Sequence, residues 1–232
     1  MSALVSCKDL TKAYGKKIAV DHVSFEIEGG HIIGLLGPNG SGKTTLIKIL
    51  NGLLRPTSGQ LLVHDQPIGV ESKKVISYLP DQTYLNMNQK VEEVLQYFAA
   101  FYEDFDVSRA YHMLSDLQID PKSRLKSMSK GTKEKVQLIL VMSRKADLYV
   151  LDEPIAGVDP AARDYILRTI LSNYDPAASI LISTHLISDI ENILDQVLFL
   201  QNGHLVLNKS VDDIRVQEGK SIDALFREVF KC

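Results

Sequence analysis

The chain has 232 residues, 45% of them apolar, enough to bury a sizeable core in one domain or in one domain carrying an insertion. A formal net charge of −3 argues against a molecule whose main work is neutralising a nucleic-acid backbone, so no nucleic-acid partner is expected. No segment approaches the roughly 20 apolar residues of a bilayer-spanning helix, and the N-terminus lacks the apolar stretch and cleavage site of a secretory signal.

The first eighty residues alternate short apolar strands with turn chemistry. LVSCKDL and AVDHVSFEI read as strands, punctuated by Gly15 and by Gly29-Gly30. HIIGLLG is a continuous apolar run ending in glycine, the pattern of a buried parallel strand. KTTLIKILNGLL follows as a helix, with Leu46, Ile49, Leu50 and Leu53 at helical spacing and Gly52 near its end. RPTSGQLLVHDQPI returns to turn and strand.

Beyond about residue 83 the texture becomes helical. Val91, Val94, Leu95, Phe98, Phe101, Tyr102 and Phe105 form one face of a long amphipathic helix, and SRAYHMLSDLQI forms another, with Ser108 as its expected cap. KVQLILVMS then leads through a charged turn to DLYVLDEP, a second buried strand. A helix through ARDYILRTILSNY, a strand ASILIST, a helix around SDIENIL and a hairpin VLFLQNGHLVL follow. The last segment reads as a charged turn and a short amphipathic helix whose Ile222, Leu225, Phe226, Val229 and Phe230 pack on the core. Cys7 and Cys232, at opposite ends, read as reduced thiols rather than a bridge.

The economical reading is a strand–helix nucleotide-binding core, residues 1–82 and 146–232, interrupted by a helical insertion at about 83–145. The fold class expected is α/β.

Gly37-Pro38-Asn39-Gly40-Ser41-Gly42-Lys43-Thr44 fits G-x-x-x-x-G-K-[ST] between an apolar strand and a helix. Glycines let backbone N–H groups turn inward around phosphate oxygens, and the helix N-terminus adds unpaired donors and partial positive charge. Lys43 has the reach for β- and γ-phosphates, and the Thr44 hydroxyl suits Mg²⁺. A glycine-rich turn with an incidental lysine is the bland alternative, and the strand before and helix after weigh against it. Asp152 and Glu153 end a second apolar strand, where the first suits a metal ion and the second suits general-base work on water. A solvated acidic pair is the ordinary reading of such a strand end; the phosphate loop makes it the weaker one. His185 ends a third apolar run, at a sheet edge where ligand groups are expected.

Taken together and in this order, these motifs resemble the ATP-binding cassette family, the nucleotide-binding subunits of ABC transporters, over nearly the whole chain. The resemblance implies a P-loop NTPase (RecA-like) core with an N-terminal antiparallel β-subdomain and an inserted helical subdomain. It implies ATP and Mg²⁺ as cofactors, with Tyr14 stacking on adenine and Gly37, Asn39, Gly40, Ser41, Gly42, Lys43, Thr44 and Thr45 holding the phosphates. Catalysis falls to Glu153, His185 and Lys43, and the metal to Thr44, Asp152 and Gln82. Asp159, in GVDP, matches the loop that crosses to a partner subunit in family dimers.

Two stretches depart from the family. Its glutamine loop normally places Gln directly after proline, whereas Pro80 here is followed by Asp81 and then Gln82; either residue takes that place, with Gln82 preferred. The LSGGQ signature aligns with Met128-Ser129-Lys130-Gly131-Thr132, which keeps Ser129 and Gly131 for the phosphate of a second subunit. Six basic residues against one acidic give residues 122–135 a local balance of +5, the pattern of a solvated basic face.

The resemblance further implies a homo- or heterodimer of cassettes at the cytoplasmic face of a membrane. Its partner would be an integral membrane permease, and the short single cassette resembles subunits of exporters, so the direction implied is export. A soluble ABC ATPase of a non-transport complex, such as cofactor assembly, is the alternative. A small P-loop kinase is the third reading, opposed by the signature stretch, Asp159 and His185.

Overall fold

The computed structural model describes residues 3–230, apart from the side chains of Ala161 and Ala162. Cys232 lies outside the described residues. The chain opens with two long antiparallel strands, β1 (Val5–Tyr14) and β2 (Lys17–Ile27), joined by a turn at Gly15. β3 (Ile32–Leu36) enters the phosphate loop and α1 (Lys43–Leu50) leaves it. β4 (Ser58–Val63), β5 (Gln66–Pro67), α2 (Val70–Val75) and β6 (Ile76–Leu79) complete the first third. Helices α3 (Val91–Phe101), α4 (Val107–Asp116) and α5 (Lys130–Met142) lead to β7 (Leu148–Asp152). Then come α6 (Pro160–Asn173), β8 (Ser179–Thr184), α7 (Ile187–Ile190), β9 (Gln196–Gln201), β10 (His204–Ser210), α8 (Val211–Glu218) and α9 (Ile222–Phe230).

The strands form two sheets. One is antiparallel, in the order β2-β1-β4-β5; the other runs β10-β9-β3-β8-β7-β6, parallel except for the edge strand β10. This is the α/β P-loop class with an N-terminal antiparallel sheet. β3, β7 and β8 are buried at every position, as expected of parallel strands covered on both faces. Alternation along β3 divides the core. Ile33 and Leu35 face the antiparallel sheet and α1, while Ile32 and Leu36 face the helices.

Several local expectations are corrected. Helix α1 ends at Leu50 with Gly52 in a left-handed turn, so Leu53 is exposed instead of continuing the apolar face. Helix α3 stops at Phe101, which is also exposed; Phe105 still reaches the core, from the turn beyond. The cap of α4 is Asp106, whose carboxylate accepts from the Arg109 amide at 2.9 Å, and Ser108 lies inside the helix. The stretch after Ser210 is helix α8, capped by the Ser210 hydroxyl on the Asp213 amide, where a charged turn was expected. The C-terminal helix packs as expected: Phe226 and Phe230 meet Phe199 at 5.5 and 5.8 Å between ring centroids.

One buried cation ties the helical segment to the sheet edge. Arg144, 3% exposed, pairs with Asp104 at 3.0 Å and donates to the carbonyls of Ile76 and Lys74 at 2.6 and 2.5 Å. Its guanidinium also lies 4.0 Å from the Tyr102 ring centroid. Removing such a group leaves several acceptors without a partner in a dry site. Arg144→Ala is expected to lower unfolding free energy by about 3 kcal/mol in urea titration; a loss under about 1 kcal/mol, the scale of a surface ion pair, would contradict this role.

Candidate functional site

Parallel pairing sets Leu36 beside Thr184 and Asp152 beside Ser183, so the loops after β3, β7 and β8 emerge at one edge of the sheet. The loop after β3 is tightly seated. A Cβ on Gly37 would lie 2.3 Å from the Leu200 carbonyl oxygen, and one on Gly42 would lie 2.3 Å from that of Ala19. Gly42 also has φ +113°, so glycine is required there twice over. Gly203, in the Asn202-Gly203 hairpin turn, supports the loop from outside: its amide donates to the Ser41 carbonyl at 2.9 Å.

Helix α1 has Gly42 at its N-cap and therefore no side-chain cap, leaving its first amides available to an anion. Lys43 is 6% exposed, and its ammonium donates to the carbonyls of Gly37 at 2.7 Å and Pro38 at 3.2 Å. Burial pulls its pKa down, while the charges of Glu153 and Asp152 oppose that shift. The Ser41 hydroxyl is buried without a partner. Tyr14, half exposed, joins Asn39, Gly40, Thr44 and Thr45 around a cavity of 440 Å³ that Asp81 and Glu153 also reach.

Asp152 is 1% exposed; its Oδ1 accepts from the Ser183 hydroxyl at 2.5 Å, and its Oδ2 is buried with no partner. Burial raises its pKa, the nearby Asp81 and Glu153 add to the rise, and the hydroxyls of Ser183 and Thr44 resist it. A buried carboxylate oxygen without a partner, with the Thr44 hydroxyl beside it, suits a hard divalent cation held by oxygen ligands. Glu153 has φ +52°, an uncommon conformation for a non-glycine residue, held by its amide donating to both the carbonyl (3.0 Å) and the hydroxyl (3.1 Å) of Ser183. Its Oε2 lies 3.1 Å from His185 Nδ1.

Asn39, Asp81 and Glu153 also line an adjoining cavity of 690 Å³, together with His185, Gln82 and Lys130. Of the two residues after Pro80, Asp81 borders both cavities and acts on Asp152, whereas Gln82 borders only the larger. Ser129 caps α5 by accepting from the Thr132 amide at 3.1 Å. Gly131 has open space where a Cβ would be, so this chain's own packing does not require glycine there. Asp159 accepts from the Arg163 amide through its carbonyl, in a turn that Arg163 braces by bonding Val158 and Asp189. Sequence reasoning missed Ser183 and Gly203. Ser183 stood in plain view within SILIST, but its partners are Asp152 and Glu153, thirty residues away.

The family model for ABC transporters matches residues 20–156. The chain belongs to the ABC transporter family. Among curated relatives, this ABC protein is 33% identical over 220 residues to the SkfA peptide export ATP-binding protein SkfE of Bacillus subtilis (strain 168), covering 92% of each chain. Among solved structures it superposes with TM-score 0.88 and 30% identity on an ATP-binding subunit of an ABC transporter, covering 98% of this chain and 99% of that one. The fold also matches, at TM-score 0.78 and 20% identity, the dimeric ATP-binding cassette MJ0796 bound to ADP and Pi, over 89% of this chain and 98% of that one. This ABC chain is thus of the ATP-binding subunit type.

Because the folded-state pKa of Asp152 is raised, its ionised form destabilises the metal-free protein. That penalty is fully present above the raised value and vanishes below the unfolded value of 3.8. Asp152→Asn is therefore expected to raise the melting temperature in chelator at neutral pH, with the gain fading as pH falls toward 4. A variant that melts lower than the parent at neutral pH would contradict this assignment.

Proposed function

We propose that this subunit hydrolyses ATP within a dimer of cassettes and couples that cycle to a separate membrane-spanning permease, in the direction of export. The observation that carries the reading is the convergence of Lys43, Asp152, Glu153 and His185 around an uncapped helix N-terminus. Tyr14 supplies a ring for adenine at the far end of the 440 Å³ cavity. The amides of Gly40 and of Gly42 through Thr45 donate to the phosphate oxygens, the Ser41 amide being held by the Pro38 carbonyl, and Lys43 passes its donors from the loop carbonyls to the phosphates.

Mg²⁺, when bound, neutralises phosphate charge, and Thr44, Asp152 and Asp81 are the residues that would hold it. Asp81 is preferred here to Gln82 because it lines the cavity that contains Thr44, which Gln82 does not reach. Glu153 accepts the proton of the attacking water, and its strained backbone aims the carboxylate across both cavities. His185, oriented by Glu153 at 3.1 Å, donates to the γ-phosphate from its other ring nitrogen when protonated.

Ser129, Gly131 and Asp159 serve the nucleotide of the second subunit. The unfilled space at Gly131 supports this, since a glycine not needed by its own chain leaves room for close approach from another molecule. The name of the peptide-export relative supports export. For the permease, Tyr84, Tyr97 and Phe101 are 52%, 61% and 67% exposed, and Tyr97 stacks on Phe101 with ring planes 16° apart. No helix among the described residues is long and apolar enough to cross a membrane, so the spanning element would belong to that partner.

Glu153→Gln is expected to keep nucleotide binding, cut turnover by about 10²-fold or more and accumulate an ATP-bound dimer in sedimentation; undiminished ATPase would sink the base assignment. Tyr97→Ala with Phe101→Ala is expected to leave ATPase of the isolated chain intact and release the subunit from native membranes into the soluble fraction. Retention on those membranes would remove the aromatic patch from the permease interface.

A further inference from the structure

Helix α5 carries an amide side chain into the interior. Gln137 is 3% exposed, and its Nε2 is buried without an acceptor. A buried donor left unpaired is costly, whereas an apolar side chain of the same size there would not be. One helical turn later, the Val141 carbonyl accepts from the Ser77 hydroxyl at 2.8 Å, which fixes this face of α5 against β6. Gln137 therefore lies beside the chain that leaves β6, and it borders the 690 Å³ cavity together with Pro80, Asp81 and Gln82.

That departing segment is weakly tethered. Among the described residues, no backbone–backbone hydrogen bond outside the regular elements involves Pro80 to Tyr84, Thr83 accepts only from the nearby Leu85 amide at 3.4 Å, and Asp81, Gln82 and Thr83 are exposed. Asp81 and Gln82 are adjacent in a bend beyond the end of β6, and the bend that brings Asp81 to the cavity lined by Thr44 leaves Gln82 on the side of α5. The cavities divide the two residues in this sense, since Asp81 borders the phosphate loop and Gln82 borders only the space shared with Gln137. A primary amide offers both donors and an acceptor, so two glutamines can bond reciprocally.

We infer that Gln137 is a positioning residue, whose amide pairs with that of Gln82 when the 80–83 loop closes over nucleotide. The pair would tie the phosphate site to α5, the helix that begins at Ser129. The unpaired Nε2 is then a feature of the open state, satisfied only on closure. This inference rests on the ATPase reading above and adds to it a link between the nucleotide and the helix presented to the second subunit.

Gln137→Leu removes the donors at similar volume, and Gln82→Ala removes the acceptor at an exposed position that should not disturb folding. Steady-state ATPase and thermal melting of the full chain are measured for the parent, both variants and the double variant. Each single variant is expected to lower kcat about tenfold with KM within about twofold, and the double variant to be no slower than either single. The nucleotide-free melting temperature of Gln137→Leu should equal or exceed the parent's. A purely structural glutamine would give the opposite result, a lower melting temperature with unchanged kcat, and would overturn the pairing. Losses that multiply in the double variant would overturn it as well. If Gln137→Leu fails to fold, unchanged kcat in Gln82→Ala alone overturns it. Absence of ATPase in the parent would instead overturn the ATPase reading and this inference with it, whereas normal turnover in the variants overturns only the pairing.

Discussion

The parallel register of β3, β7 and β8 is the constraint on which the rest of the site depends. With Leu36 beside Thr184 and Asp152 beside Ser183, three strand ends distant in sequence finish at one edge. The phosphate loop, Glu153 and His185 then meet without any long side chain having to search for its partner. The register is itself held by apolar packing on both faces, since a slip along the strands would carry their buried side chains out of the two core clusters.

Against this well-packed frame, unfavourable polar arrangements gather at the site. Asp152 keeps a buried oxygen without a partner, Ser41 a buried hydroxyl and Gln137 a buried amide nitrogen; these are the unpaired buried side-chain atoms found among the described residues. Glu153 occupies a left-handed backbone conformation, and Lys43 turns its ammonium back on the carbonyls of its own loop. The unpaired atoms cost stability, and they lie in the phosphate loop (Ser41) or on the adjoining cavity (Asp152 and Gln137). In the proposed cycle, phosphate, metal and loop closure would supply these atoms with partners.

Much of the frame was legible in the sequence because its elements announce themselves locally. Continuous apolar runs mark the buried strands, and the spacing of Gly37, Gly42, Lys43 and Thr44 marks the loop between one such strand and its helix. The failures share one physical cause. The end of α3 at Phe101, the cap at Asp106 in place of Ser108, and the helix after Ser210 are decided by turn geometry and tertiary contact that periodicity does not carry. Ser183 was invisible as a site residue since its importance lies in bonds to Asp152 and Glu153 across the sheet. Asp81 and Gln82 could not be separated by residue type either, because a one-residue shift reverses which side chain faces the phosphates.

The central claim is that the loop from Gly37 to Thr44 binds the phosphates of ATP through Lys43 and the amides of α1. Isothermal titration of ATP with Mg²⁺ into the chain and into Lys43→Ala tests it most directly. Saturable one-site binding is expected for the parent, with an affinity at least about tenfold weaker in the variant, the scale of one charge-assisted contact to phosphate. Equal affinity in the two proteins would contradict it.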